Sequence, residues 1–276
     1  EDNKHLLWIG TENGGLSVFD PAKEIFTNYR HDDIDNTSLT NNSIDCVYKD
    51  VNGNMWVGTY SGGINMFSKD ANKFTHYKHT SDSNSLSNNN VLFLQEDSKN
   101  NLWIATDGGG LDLLDHKTGN FTHFQHDPAN RNSICGNYVL AIQEDSKENI
   151  WAGTWGDGLT VINKSHNLFT HFKNNPADST SLSGNNVYSI IRDKDNDMWI
   201  GTYGEGLNLY DGTKNRFIHY KNHRTNINSL SSNNIQTIMG DSKGLVWIGT
   251  YDNGLNRLDK KTNSFTRFVH DENKNS

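Results

Sequence analysis

The sequence predicts an all-β chain of six repeated four-stranded sheets, and three columns in register predict it. Trp8, Trp56, Trp103, Trp151, Trp199 and Trp247 recur at intervals of 47 or 48 residues. Asp2, Asp50, Asp97, Asp145, Asp193 and Asp241 stand six residues before them, and Phe26, Phe74, Phe121, Phe169, Phe217 and Phe265 stand eighteen after. Chance does not hold three columns at fixed offsets through six copies, so the repeat governs every later reading of the chain.

Each copy resolves into four strands. The first is apolar on both faces, as in Val91-Leu92-Phe93-Leu94, the pattern of a strand sandwiched between neighbouring sheets. A turn rich in Asp, Asn, Lys and Gly, such as Asp50-Val51-Asn52-Gly53-Asn54, leads to the strand that carries the tryptophan. A tight turn follows, whose recurring second glycine (Gly15, Gly63, Gly110, Gly158, Gly206, Gly254) is expected at positive φ. The third strand is Gly110-Leu111-Asp112-Leu113-Leu114, and Phe121-Thr122-His123-Phe124 alternates as an outer strand does. A polar loop then returns to the next copy.

Four antiparallel strands per repeat of this length, with a long connection between repeats, describe a β-propeller blade. Stacked blades bury faces that one blade leaves open. The expectation is a single β-propeller over residues 1–276 with its blades anchored at the six tryptophans. The Gly-His and Trp-Asp dipeptides of the WD40 blade do not recur in place, which disfavours that version. The first copy opens at Glu1-Asp2 without an inner strand, so its blade should have three strands, either in a part of a larger, seven-bladed propeller region or in a ring of six blades that closes with one blade short by a strand.

Composition narrows the function classes. Of 276 residues only 33% are hydrophobic and mean hydropathy is −0.78, yet aromatics reach 11% and prolines number three, which argues against disorder. Lys and Arg total 25 against 33 Asp and Glu, scattered without a basic stripe, so nucleic acid is not an expected partner. No apolar run approaches the ~20 residues of a membrane helix. Cys46 and Cys135 cannot make a disulfide framework or a four-ligand zinc site. Cys46 lies among apolar neighbours as a packed thiol; Cys135 lies in a loop, where more reactivity is expected.

The phrase of an inner strand, an aspartate, a turn and Trp-Ile-Gly-Thr-x-x-Gly-Gly-Leu is similar to the two-component regulator propeller repeat. Glu96-Asp97, Trp103-Ile104-Ala105-Thr106 and Gly109-Gly110-Leu111 carry the resemblance, together with Ser85-Leu86-Ser87-Asn88-Asn89 ahead of the inner strand. The resemblance covers all six copies. It implies the periplasmic sensor region of a hybrid two-component regulator, an inner-membrane protein with a histidine kinase elsewhere in its chain. Such regions usually carry two seven-bladed propellers and an immunoglobulin-like domain. They act as homodimers and bind oligosaccharides released from glycans, controlling the genes of glycan use. The resemblance implies no cofactor.

Columns shared by all repeats describe the fold; a site is expected where repeats disagree along one rim. Asn42, Asn89, Asn137, Asn185 and Asn233, and Ser38, Ser85, Ser133, Ser181 and Ser229, are expected to bond the backbone of the long loop. The aspartate column is expected to cap the turn before the tryptophan strand. The position after the threonine of Trp-x-Gly-Thr reads Glu12, Tyr60, Asp107, Trp155, Tyr203 and Tyr251. Aromatic faces at turn tips stack on sugar rings while neighbouring carboxylates and amides bond hydroxyls. The candidate ligand-binding residues are therefore Trp155, Tyr203, Tyr251, Tyr60, Asp107, Tyr138, Arg131 and Glu205, with Asp157 and Asp252 on the same rim. A wedge against the neighbouring blade is the competing role for each aromatic.

Metal and catalytic readings are weaker. His76/His79 and His123/His126 make two H-x-x-H pairs, but that spacing on a strand sends the two rings to opposite faces. Asp193-Lys194-Asp195-Asn196-Asp197 opens like a calcium loop, yet Met198 stands where the glycine is needed and Gly204 where the glutamate is. It reads as a polar turn. No metal site and no catalytic residue is expected, although Asp107, Asp157 and Glu205 are the carboxylates a propeller glycosidase or lyase would use. A scaffold for protein contacts is the other alternative.

Overall fold

Hydrophobic burial on both faces of a sheet makes continuous apolar runs into strands. A computed structural model describes residues 1–68 and 73–270, and every regular element among them is a β-strand. They form five four-stranded antiparallel sheets and one of three strands, the blades of a β-propeller. The third blade runs outward as Val91–Glu96, Leu102–Thr106, Gly110–Leu114 and Phe121–Phe124. The three-stranded sheet is the first: Leu7–Thr11, Gly15–Asp20 and Ile25–Tyr29.

The chain divides into two compact units, Glu1–His126 with Asn137–Val139, and Asp127–Gly136 with Leu140–Ser276. Both are built in the same way. In the first, Trp56 and Ile64 of the second blade pack with Val91, Leu94, Leu102, Ile104 and Leu114 of the third. In the second, Trp151 and Leu159 pack with Val187, Ile190, Met198 and Ile200, and Trp199 and Leu207 pack with Ile235, Ile238, Val246 and Ile248. The tryptophan strands Met55–Thr59, Leu102–Thr106, Ile150–Thr154 and Met198–Thr202 are buried at every residue, which is why they read as unbroken apolar runs.

The columns behave as expected and one of them does more. Each aspartate accepts backbone N–H bonds within its turn, as Asp50 Oδ1 does from Asn54 at 2.7 Å. Its other oxygen accepts the indole N–H of the tryptophan six residues on, at 2.9–3.1 Å in all six repeats. The Asp–Trp column is thus one device, capping the turn and satisfying a donor that burial would otherwise strand. The asparagines accept a loop N–H, for example His79 N to Asn89 Oδ1 at 2.7 Å and Asn174 N to Asn185 Oδ1 at 2.8 Å. The serines staple the same loop: Ser133 Oγ accepts from Asp127 N at 3.0 Å and donates to Asn130 O at 2.8 Å.

Cys135 departs from the sequence reading. Its loop is packed: Cys135 is 3% exposed, its N–H donates to Thr160 Oγ1 at 2.9 Å, and burial pushes its thiol up. It is therefore not the more reactive cysteine expected of a loop. Burial also pushes the Cys46 thiol up, to about 12. Neither thiol should react with a thiol-exchange reagent at pH 8 until the chain is unfolded, as a timed thiol titration with and without denaturant would show.

The third blade differs from its neighbours in one buried position. Where Asn65, Asn208 and Asn256 accept a loop N–H, Asp112 accepts from Ser87 N at 2.8 Å. Its other oxygen meets His123 Nδ1 at 2.7 Å. Burial holds the Asp112 carboxyl above its usual range, outweighing the bonds from His123 and Ser87. Burial alone would lower His123, but its bonds to Asp112 and to the Ser83 carbonyl, with the Asp112 charge, together outweigh that and raise it. Both groups hold protons more tightly folded than unfolded. Their stabilisation is present below the ordinary values of about 3.9 and 6.5 and is lost as pH rises through the higher folded ones. Asp112→Asn should flatten this decline, so the variant gains on the parent as pH rises from about 5 to 8. Melting curves at pH 5 and pH 8 test it; an equal offset at both would contradict the titration argument.

Candidate functional site

The rim is built by a repeated turn. The threonine closing each tryptophan strand donates its hydroxyl to the carbonyl of the glycine four residues on, at 2.8–2.9 Å in all six repeats. That glycine has φ of 66–86°. A Cβ on Gly206 would come within 2.4 Å of the Tyr220 carbonyl, so both the conformation and the space demand glycine. The residue after the threonine is anchored by its backbone: Tyr203 N donates to Asn186 O at 3.0 Å and Tyr251 N to Asn234 O at 2.9 Å. Its side chain is left at the tip.

In the second unit this turn assembles an aromatic row. Trp155 lies 6.2 Å from Tyr203, and Tyr203 lies 6.0 Å from Tyr251 edge-on. A fourth ring completes it: Tyr188 is 5.6 Å from both Trp155 and Tyr203. Trp155 is 45% exposed and Tyr251 70%, while Tyr188 and Tyr203 are half-buried between them. Mutual contact holds the rings at fixed angles without covering them. Burial, then the neighbouring Tyr203 and Tyr251, raises the Tyr188 hydroxyl, keeping it a neutral donor at physiological pH.

Tyr188 was not among the residues expected from sequence. It is the second residue of the inner strand Val187–Arg192, at a register shift between Val187 and Ser189. A bulge re-aims the residue it inserts. The same shift occurs between Ile44 and Cys46, Val91 and Phe93, and Ile235 and Thr237. The signal was a second column of disagreement, Asp45, Leu92, Leu140, Tyr188 and Gln236, inside a strand otherwise read as uniformly apolar.

The other candidates are dispersed. Glu205 turns away to Lys221 Nζ at 2.6 Å, where it lines a separate pocket with Asn174, Asp178 and His219. Asp157 pairs with Lys173 at 3.5 Å, and Asp252 accepts from Asn234 Nδ2 at 3.1 Å. Arg131 is exposed on the long loop before Ser133. In the first unit, Asp107 forms a bridge with exposed Tyr138, and Tyr60 is 56% exposed beside a pocket lined by Glu12 and Asp45. Burial first, then the charges of Asp107 and Glu12, raises the Asp45 carboxyl. The rim of that unit is acidic, in contrast to the aromatic rim of the second.

The histidines and the calcium-like turn have other partners. His76, His171 and His219 each meet a serine carbonyl of the long loop at 2.7–2.8 Å, which makes them staples of the outer strand. Asp193, Asp195 and Asp197 bring three carboxylate oxygens within 4.8 Å of one another, and the Lys260 ammonium bonds all three.

Five segments, 38–61, 85–108, 133–156, 181–204 and 229–252, match the family model described as two component regulator propeller. Each runs from the loop serine to the rim turn. These are two component regulator propeller repeats. Their fold is similar to the extracellular domain of a putative hybrid two component system from B. thetaiotaomicron, at 22% identity over 99% of this chain and 46% of that one, with a TM-score of 0.66. The extracellular domain of a putative one component system from the same organism matches at 21% identity over 98% and 43%, with a TM-score of 0.61. Virginiamycin B lyase from Staphylococcus aureus shares the fold at 16% identity over 97% and 82%, with a TM-score of 0.71. The chain thus spans less than half the length of the two system domains. No curated protein sequence matches it.

The matched segments hold the serine, asparagine, aspartate and tryptophan columns, and Trp155, Tyr203 and Tyr251 fall in those segments too, at the position that varies. The repeat therefore delivers a fixed turn to the rim and leaves its tip free to be specified blade by blade.

Proposed function

We propose that this chain is part of the ligand-sensing, extracytoplasmic region of a hybrid two-component regulator, and that it binds oligosaccharide without chemical change along Trp155, Tyr188, Tyr203 and Tyr251. The observation that carries this reading is the row itself: four rings in contact, two of them widely exposed at turn tips, a geometry that offers faces to sugar rings. Trp155 and Tyr251 supply the open faces and the Tyr188 and Tyr203 hydroxyls bond the sugar. The repeat family and the similar extracellular domains support a sensor role and a periplasmic location. Two of the three carboxylates of the glycosidase alternative, Asp157 and Glu205, each have a lysine partner, and the third, Asp107, lies in the other unit, which favours binding over chemistry.

In the whole protein, taken as a homodimer, binding would favour one arrangement over another by the difference in its affinity for the two, and so control glycan-utilisation genes. Calorimetric titration against defined oligosaccharides, with product analysis of the same samples, tests the reading. Saturable binding without new products is expected; turnover would overturn it.

A further inference from the structure

Thirteen residues after the repeat tryptophan, the third and sixth blades hold a side chain that reaches into the groove towards the preceding blade. His116 stacks on Trp56 at 5.3 Å and Lys260 reaches Asp193 at 2.7 Å, while Lys164 of the fourth blade pairs with Glu144 of its own blade at 3.0 Å. The fifth blade has Gly212 there. Nothing in the backbone calls for glycine: its φ is not in the left-handed region, and an added Cβ would meet only the Tyr210 ring, at 3.4 Å. What the glycine does is leave space. The groove beside it measures about 630 Å³, against about 240 Å³ where His116 reaches in.

We infer that this groove is a second binding site, for a neutral, hydroxyl-rich ring such as a hexopyranose. Its apolar wall is Trp151, Phe172 and Tyr210, with Phe172 and Tyr210 at 63° and 5.5 Å. Its polar edge includes Asn149, Thr213 and Asn215. Two of these are held ready: Tyr210 donates its hydroxyl to Asn215 Oδ1 at 2.7 Å, and Asn149 Nδ2 donates to Asp145 at 2.9 Å. Those bonds leave the Asn215 amide N–H groups to donate and Asn149 Oδ1 to accept. The carboxylates in the wall are already compensated. Asp145 accepts from Trp151, from the Asn149 side chain and from two backbone N–H groups, and Asp197 is bonded by Lys260. A cationic ligand gains little from such walls and an anionic one meets a single cation, Lys147, whereas an uncharged ring gains apolar contact and oriented hydrogen bonds. The groove lies at the start of strand Ile150–Thr154, and Trp155 follows the strand's end, so the two sites share no residue.

The ligand class is the one proposed for the aromatic row, so the test separates the two. The probes are neutral gluco-, xylo- and manno-hexasaccharides, titrated into the parent chain, Gly212→Ala, Gly212→Lys, Trp155→Ala and the Gly212→Lys/Trp155→Ala pair. Gly212→Lys should remove one binding event, weakening it tenfold or more, because a lysine reproduces the filling that Lys260 provides in the sixth blade. Gly212→Ala should keep that event within about threefold, showing that filling and not backbone change is responsible. A parent that binds once and loses nothing in Gly212→Lys would overturn the groove while leaving the row intact. Binding lost in Gly212→Lys but unchanged in Trp155→Ala would support the groove and refute the row. Failure of all three probes to bind would overturn the groove.

Discussion

Trp155→Ala is expected to weaken oligosaccharide binding by about thirtyfold, or about 2 kcal/mol, with little change in folding stability. The indole is 45% exposed and touches Tyr188 and Tyr203 at its edge and flank, so truncation removes an open face and frees two neighbours to move. Surface truncations of this kind cost a folded chain little. Tyr251 has one ring contact in the row and is 70% exposed, so Tyr251→Ala should cost less, about tenfold. Isothermal titration against the best-binding glycan, paired with thermal melts, separates binding from folding. Equal affinity in parent and Trp155→Ala would remove the row from consideration, whatever the melts show.

The architecture was legible in the sequence because it is periodic. A turn that must cap itself uses Asp at one fixed place, a glycine at positive φ admits no substitute, and a sandwiched strand stays apolar; the first two constraints repeat six times and the third five, and each becomes a column. The candidate site was only partly legible, because specificity is what repeats do not share. Trp155, Tyr203 and Tyr251 were visible at turn tips. Tyr188 was hidden by a bulge, which changes the face of one residue without altering strand composition. Glu205 shares a rim turn with Tyr203 but leans to Lys221, a partner sixteen residues away that no rim column contains. Gly212 stood in a turn where glycine is unremarkable, and only the side chains occupying its counterparts give its absence of bulk a meaning. Cys135 was misjudged because loop composition does not report packing: its chain segment is buried against Thr160 and Thr154.

Asp193→Ala is expected to be the most damaging single substitution in the second unit, costing about 3–5 kcal/mol. One Asp193 oxygen accepts from Asp195 N and Asp197 N at 2.9 and 3.0 Å, and the other from Trp199 Nε1 at 2.9 Å and Lys260 Nζ at 2.7 Å. Trp199 is 1% exposed, so its N–H would have no water to turn to. Asp241 makes the same indole bond to Trp247, but Trp247 is half-buried and no lysine among the described residues joins them, so Asp241→Ala should cost well under half as much. The pH dependence follows from the same contacts. Burial alone would raise Asp193, yet the bonds from Lys260, Trp199 and the backbone outweigh it and hold the carboxyl below its usual range. Its contribution is therefore present above about 3.9 and lost as pH falls through the lower folded value. Burial likewise opposes the charge of Lys260, but three carboxylates raise it, so that share persists until strongly alkaline pH. Denaturant melts of parent and Asp193→Ala should converge as pH is lowered from about 5 toward 2, because the parent sheds what the variant never had. A gap that stays constant over that range would place the cost in lost packing and take the charge out of the explanation.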